Sequence, residues 1–141
     1  MSARAFLDTN VFIYQLDSSD ARKHKIAERL VRDALQNERA CISYQVVQEC
    51  LNTILRKAEV ALDAQGTRAY LEAVLLPLMK VGASAALYER ALDIQSRWRF
   101  GFYDSLIVAS ALAAGCDTLL TEDLQHGQVI ETLTISNPFK R

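Results

Sequence analysis

Apolar positions along this chain follow two rhythms. Short, nearly unbroken runs at Ala3–Leu7, Ala40–Ser43, Asp117–Thr121 and Leu133–Ser136 read as buried strands, with a weaker one at Leu78–Val81. Between them apolar residues recur at helical spacing. Asn10–Leu16 is apolar enough to start a helix. Ile26, Leu30, Val31, Ala34 and Leu35 mark one face of a longer helix, capped by Asp20 and reaching about Asn37. Its other face carries Arg22, Lys23, Lys25, Arg29 and Arg32, as a solvated face does. Ser43 is placed to cap a helix that buries Val46, Val47, Cys50, Leu51, Ile54 and Leu55. Another helix is expected over Thr67–Leu76, ended by Pro77. Ser84 caps the next, which carries Leu87, Ala91, Leu92 and Trp98. Phe102–Ala114 is an apolar helix closed by Gly115.

Strand and helix thus alternate to the end of the chain. That order predicts a three-layer α/β/α domain around a short parallel central sheet, one domain over residues 1–141. Composition agrees: half of the residues are hydrophobic and 23% are charged, which excludes a disordered chain. With 16 basic and 17 acidic residues the charge is balanced, so no basic surplus advertises a nucleic-acid binder. The cysteines, Cys41, Cys50 and Cys116, lie in apolar stretches without zinc-ligand spacing and are expected buried and reduced. No signal peptide or membrane-spanning run is visible, and a cytoplasmic location is expected.

In an open parallel sheet the site lies beyond the carboxyl ends of the strands. Asp8 directly follows the first strand, Asp123 follows the strand Asp117–Thr121, and Glu49 lies early in the helix that leaves the second strand at Ser43. Asp104 opens the helix before the strand Asp117–Thr121. Simple topology sets that helix end at the opposite edge of the sheet; a long preceding helix and a crossover at Arg99–Phe102 would be needed to bring it back. Taken singly, Asp8 and Asp104 also fit helix caps and Asp123 an ordinary turn. Glu49, on an apolar helix face, has no such bland explanation, since a fully buried, unpaired acid costs several kcal/mol.

Four segments then stand together: FLDTNVFIY at Phe6–Tyr14, SYQVVQE at Ser43–Glu49, YDSLIVASAL at Tyr103–Leu112 and LLTEDL at Leu119–Leu124. In order and spacing they resemble the motifs of the PIN-domain nucleases, most of all the small VapC toxins. The resemblance implies that Asp8, Glu49, Asp104 and Asp123 form an acidic quartet, oriented by Asn10, Ser43 and Thr121. It also implies that Asp104 does reach the site. Glu122, an extra acid beside Asp123, either faces solvent or competes as a ligand. Clustered carboxylates raise one another's pKa, and a hard divalent ion, Mg²⁺ or Mn²⁺, removes that penalty. Asp8 and Asp104 are expected as the direct ligands. Glu49 and Asp123 are expected to act through water, through a second ion or as a base. The resemblance implies an endoribonuclease leaving 3′-hydroxyl and 5′-phosphate ends, a homodimer, and a small VapB-like antitoxin as partner.

Arg97-Trp98-Arg99-Phe100 interleaves charge and aromatics, which suits an RNA contact and equally suits a core tryptophan between exposed arginines. His24 and His126 have no partner at ligand spacing and read as surface residues. Rival chemistries fit less well. A haloacid-dehalogenase-type phosphotransferase needs an acid where Asn10 stands. A response-regulator receiver needs paired acids near the first strand and a lysine after the last, and neither arrangement is found. A housekeeping RNA-processing nuclease shares the same quartet, and a non-catalytic binding module would have no need of all four acids.

Overall fold

The computed structural model describes residues 4–141, so the expected strand start at Ala3 lies outside the described residues. Among those residues six strands form one sheet in the order β3-β2-β1-β4-β6-β5. β1 (Ala5–Leu7) is central. It pairs in parallel with β2 (Ala40–Ser43) on one side and β4 (Thr118–Leu120) on the other. β3 (Met79–Val81) extends the sheet beyond β2, and β6 (Leu133–Ser136) lies beside β4, both parallel. β5 (Val129–Ile130) is the one departure from the all-parallel expectation: it runs antiparallel to β6 at the edge. It is too short to show a period. Its turn into β6 passes through Glu131, whose φ of 56° is unusual for a residue with a side chain.

Local chemistry sets the helix starts. α1 (Thr9–Leu16) follows β1 at once, with Asp8 as its cap. Asp20 caps α2 (Ala21–Asn37), Ser43 caps α3 (Tyr44–Arg56) and Ser84 caps α6 (Ala85–Trp98), each accepting a first-turn amide. The segment expected over Thr67–Leu76 starts earlier, because Asp63 accepts from the Gly66 amide at 2.7 Å and opens α4 (Ala64–Tyr70). A π-helical turn (Leu71–Leu75) then leads into the short α5 (Leu76–Leu78). Pro77 therefore does not end the helix as expected. It sits in the first turn of a new helical piece, where its missing N–H costs little, and the strand begins at Met79.

α7 (Phe102–Ala113) is buried from Ser105 to Ala111. Gly115, at φ 75°, supplies the left-handed turn that ends it. The main core gathers Phe6, Phe12, Val31, Ile42, Leu119 and Ile135, among others. A second cluster, Leu87 and Ala91 against Leu106 and Ala109, fastens α6 to α7. The three cysteines are free and buried, with the sulfurs of Cys41 and Cys116 3.5 Å apart. Among the described residues no helix is long and apolar enough to cross a membrane.

Candidate active site

At the carboxyl edge of the sheet lies a cleft of about 260 Å³. Asp8, Thr9, Asn10, Gln45, Glu49, Asp104 and Asp123 all line it. The four acids expected together thus converge on one cleft. Asp8 arrives on the end of β1, whose register places Leu7 beside Leu120 of β4, and its amide donates to the Leu120 carbonyl at 3.0 Å.

Asp104 arrives by a route that corrects the expectation of the opposite edge. The Ala114 carbonyl, just past the end of α7, accepts from the Arg4 guanidinium, and the Asp117 amide donates to the Arg4 carbonyl. The end of α7 is therefore pinned at the amino edge, where β1 and β4 begin. A helix of 12 residues spans about 18 Å, so its first turn reaches back to the carboxyl edge. A helix that feeds directly into a parallel strand must run this way. The preceding α6 returns the chain to that edge, and Arg99, in left-handed conformation at φ 64°, reverses it.

Asp8 is buried, at 6% exposure, and both its oxygens are held: one accepts from the Thr9 amide at 2.7 Å, the other from the Thr121 hydroxyl at 2.8 Å. Burial pushes its pKa up from 3.8 to about 6. The Thr121 and Thr9 hydrogen bonds oppose that rise, and the charges of Asp123 and Glu49 add to it. Asp104 is raised by desolvation, then by Asp123 and Glu49. Asp123 is raised by desolvation, then by Glu122 and Glu49. Every resolved shift among these acids points the same way, so the cleft holds more negative charge than it stabilises.

Of the orienting residues expected, Thr121 does most. Its hydroxyl donates to Asp8 and accepts from the Asp123 amide at 3.1 Å, which joins two acids through one oxygen. The Asn10 amide reaches Asp123 at 3.4 Å and Glu122 at 3.4 Å. Ser43 is fully buried and caps α3 through the Val46 amide; it acts on Glu49 only by fixing the helix that bears it. Two residues escape sequence reasoning. The Thr9 hydroxyl donates to Glu49 at 2.8 Å, and the Gln45 amide donates to Glu49 at 3.3 Å and to the Tyr103 carbonyl at 3.2 Å. Gln45 stands four residues before Glu49 on one helix face, and that spacing is the signal that would find it.

Glu122 is turned aside. It accepts from the Tyr14 hydroxyl and forms an ion pair with Lys23 at 3.1 Å, while the Lys23 ammonium lies 4.7 Å from the Tyr14 ring centre. Trp98 packs against the core with its ring nitrogen buried, and Arg97 and Arg99 are exposed, so the core alternative holds for Trp98. His24 sits by the Tyr14 carbonyl and His126 accepts from the Asn137 amide.

A family model described as PIN domain matches residues 5–130. The chain belongs to the PIN-domain family. Members of this family are typically nucleases, and the family generally uses a divalent metal. A search of curated protein sequences finds no significant match. Solved structures share the PIN fold. VapBC from Salmonella typhimurium, bound to DNA, is 18% identical, with 97% of this chain and 99% of that one covered and a TM-score of 0.66. VapBC2 from Rickettsia felis, bound to a promoter fragment, is 18% identical over 94% and 97%, at 0.64. VapC20 from Mycobacterium tuberculosis, a toxin that cleaves the Sarcin-Ricin loop, is 21% identical over 84% and 89%, at 0.61.

Among the described residues no three ligand side chains stand close enough to form a ready-made cage. The donor set still fits a hard ion of the Mg²⁺ class, which takes one or two carboxylates and keeps several of its waters. Asp104 receives no hydrogen bond among the described residues, so its oxygens are open. Asp8, Asp104 and Asp123 are each raised from the ordinary aspartate value, by burial first and by neighbouring carboxylates after it, a penalty that a cation would remove.

Proposed function

We propose that this PIN-domain protein is a metal-dependent endoribonuclease and the toxin of a toxin–antitoxin pair. The observation that carries the nuclease reading is the convergence of Asp8, Glu49, Asp104 and Asp123 on one cleft. Asp8 and Asp104 would hold Mg²⁺ or Mn²⁺ most directly. When bound, the ion supplies neutralising charge for a phosphodiester and lowers the pKa of water. The chain's own residues do the rest. Thr9 and Thr121 keep Asp8 ionisable despite its burial. Thr9 and Gln45 hold the Glu49 carboxylate in a fixed orientation, suited to aligning a water. Asn10 and the Thr121 hydroxyl fix Asp123 across the cleft. Lys23 and Tyr14 keep Glu122 from joining the ligands.

The toxin reading rests on the solved relatives, which include VapBC assemblies and a toxin–antitoxin complex from Klebsiella pneumoniae. A small VapB-like antitoxin is the expected partner and a homodimer the expected state. Leu55, exposed rather than buried with the rest of its helix face as expected, and exposed Leu92 are compatible with such contacts. Incubation with total RNA and Mn²⁺ should give discrete products that EDTA abolishes. Expression alone should arrest growth, and a small protein encoded beside it should relieve the arrest. Cleavage without growth arrest would make it a housekeeping nuclease instead; no cleavage would refute the enzyme reading.

A further inference from the structure

The rim of the cleft carries aromatic rings that the core does not use. Phe102 and Tyr103 are the first two residues of α7, directly before Asp104. They are 39% and 67% exposed, and their rings meet edge to face with centres 5.5 Å apart. The rest of the helix is buried at almost every position, so the exposed aromatics are confined to the turn that faces the acids. Small or polar residues would start the helix as well without leaving this apolar area in water. Tyr103 also lines the cleft itself. Its backbone is fixed there, because Gln45 donates to its carbonyl and, from the same nitrogen, to Glu49. The backbone that bears the ring is thereby tied through Gln45 to Glu49.

A cleft of carboxylates repels phosphate wherever no cation neutralises it, so a strand held there gains from a grip on its bases. An exposed ring offers a face on which any unpaired base stacks, whatever its sequence. Arg97 and Arg99, exposed within a few residues of this turn, add cations to the segment that leads into it.

We infer that Tyr103, propped by Phe102, is a stacking platform for one unpaired base of a single-stranded RNA segment whose neighbouring phosphodiester lies over the acids. This rests on the nuclease reading and adds the residue that grips the substrate: a base paired and stacked within a duplex has no free face for Tyr103 to hold.

The test is anisotropy of a fluorescent single-stranded RNA and of its hairpin counterpart, titrated with the full chain in Ca²⁺, with intact RNA verified on gels. The Tyr103→Ala variant should bind the single strand about tenfold more weakly, or worse. Phe102→Ala should show a smaller loss, and Tyr103→Trp should bind as wild type does. The hairpin should bind weakly throughout. Unchanged single-strand binding by Tyr103→Ala, in a variant with wild-type circular dichroism, overturns the platform. So does a Tyr103→Ala variant that changes oligomeric state in light scattering, since the ring would then belong to a contact between copies. Cleavage in Mn²⁺ separates the two readings. Tyr103-dependent binding without cleavage sinks the nuclease and leaves the platform; undiminished cleavage and binding by Tyr103→Ala sinks the platform alone.

Discussion

Replacing Asp8 with asparagine removes the most strained charge in the cleft. In the folded protein the Asp8 pKa lies near 6 against 3.8 for an ordinary aspartate. The fold therefore prefers the protonated carboxyl. That contribution is fully present below pH 4 and is lost as pH rises through about 6. Above pH 7 the ionised side chain carries a penalty of about 3 kcal/mol, from a shift of about two pH units. Asparagine cannot ionise, and it caps α1 as well as aspartate does. Its oxygen can still accept from the Thr9 amide. Its amide N–H must then donate to the Thr121 hydroxyl, which has to turn its proton elsewhere at a cost of about 1 kcal/mol. Asp8→Asn should thus be more stable than wild type by about 1–2 kcal/mol at pH 8 in EDTA. At pH 4.5 the two should differ little. Urea unfolding of both proteins at the two pH values measures this. A gap that does not change with pH, or a variant less stable at pH 8, would refute the electrostatic account of the cleft. Saturating Mn²⁺ should reverse the order, because only wild type retains the full set of carboxylate ligands.

The same electrostatics reach the metal and the supporting residues. The pKa values of Asp8, Asp104 and Asp123 are all raised, so metal binding must release protons. Mn²⁺ affinity should climb as pH rises through about 6, and calorimetry in two buffers of different ionisation enthalpy should detect the released proton; a flat profile contradicts it. Thr9→Val removes the hydroxyl that donates to Glu49 and keeps the shape, so cleavage should fall about tenfold or more with stability little changed; full activity would mean Glu49 needs no such anchor. Lys23→Met frees Glu122 to enter the cleft, with little effect on stability because the ion pair is partly exposed. Its cleavage rate should drop, and adding Glu122→Gln should restore it. A double variant no better than Lys23→Met would show that Lys23 acts by another route.

Asp8 and Asp123 are legible in the sequence because each follows a strand, and a parallel sheet collects its carboxyl ends at one edge. Glu49 is legible because an acid on the buried side of α3 has no structural excuse. Asp104 is not legible by the simple rule, since that rule treats α7 as if it started at the far edge. The pinning of Ala114 and Asp117 to Arg4 shows why it runs the other way. The π-helical turn at Leu71–Leu75 and the two-residue β5 leave no periodic trace in the chain, being shorter than the patterns that reveal them. The role of Thr9 depends on which rotamer points into the cleft and that of Lys23 on its reach to Glu122, and spacing alone sets neither; Gln45 alone is signalled, by its four-residue spacing to Glu49. The separation of Glu122 from its neighbour Asp123 depends on α2 passing close enough for Lys23 to reach it.

The most direct measurement is cleavage of a defined single-stranded RNA by wild type and by Asp104→Asn, each in Mn²⁺ and in EDTA, with the product ends mapped. Asp104 makes no hydrogen bond that its replacement would break among the described residues, so the variant should fold as wild type does. Wild type in Mn²⁺ should cut the RNA and leave 5′-phosphate ends. Asp104→Asn should not cut under either condition. Near-normal cutting by Asp104→Asn at saturating Mn²⁺, or cutting by wild type in EDTA, would contradict a metal-dependent nuclease centred on these four acids.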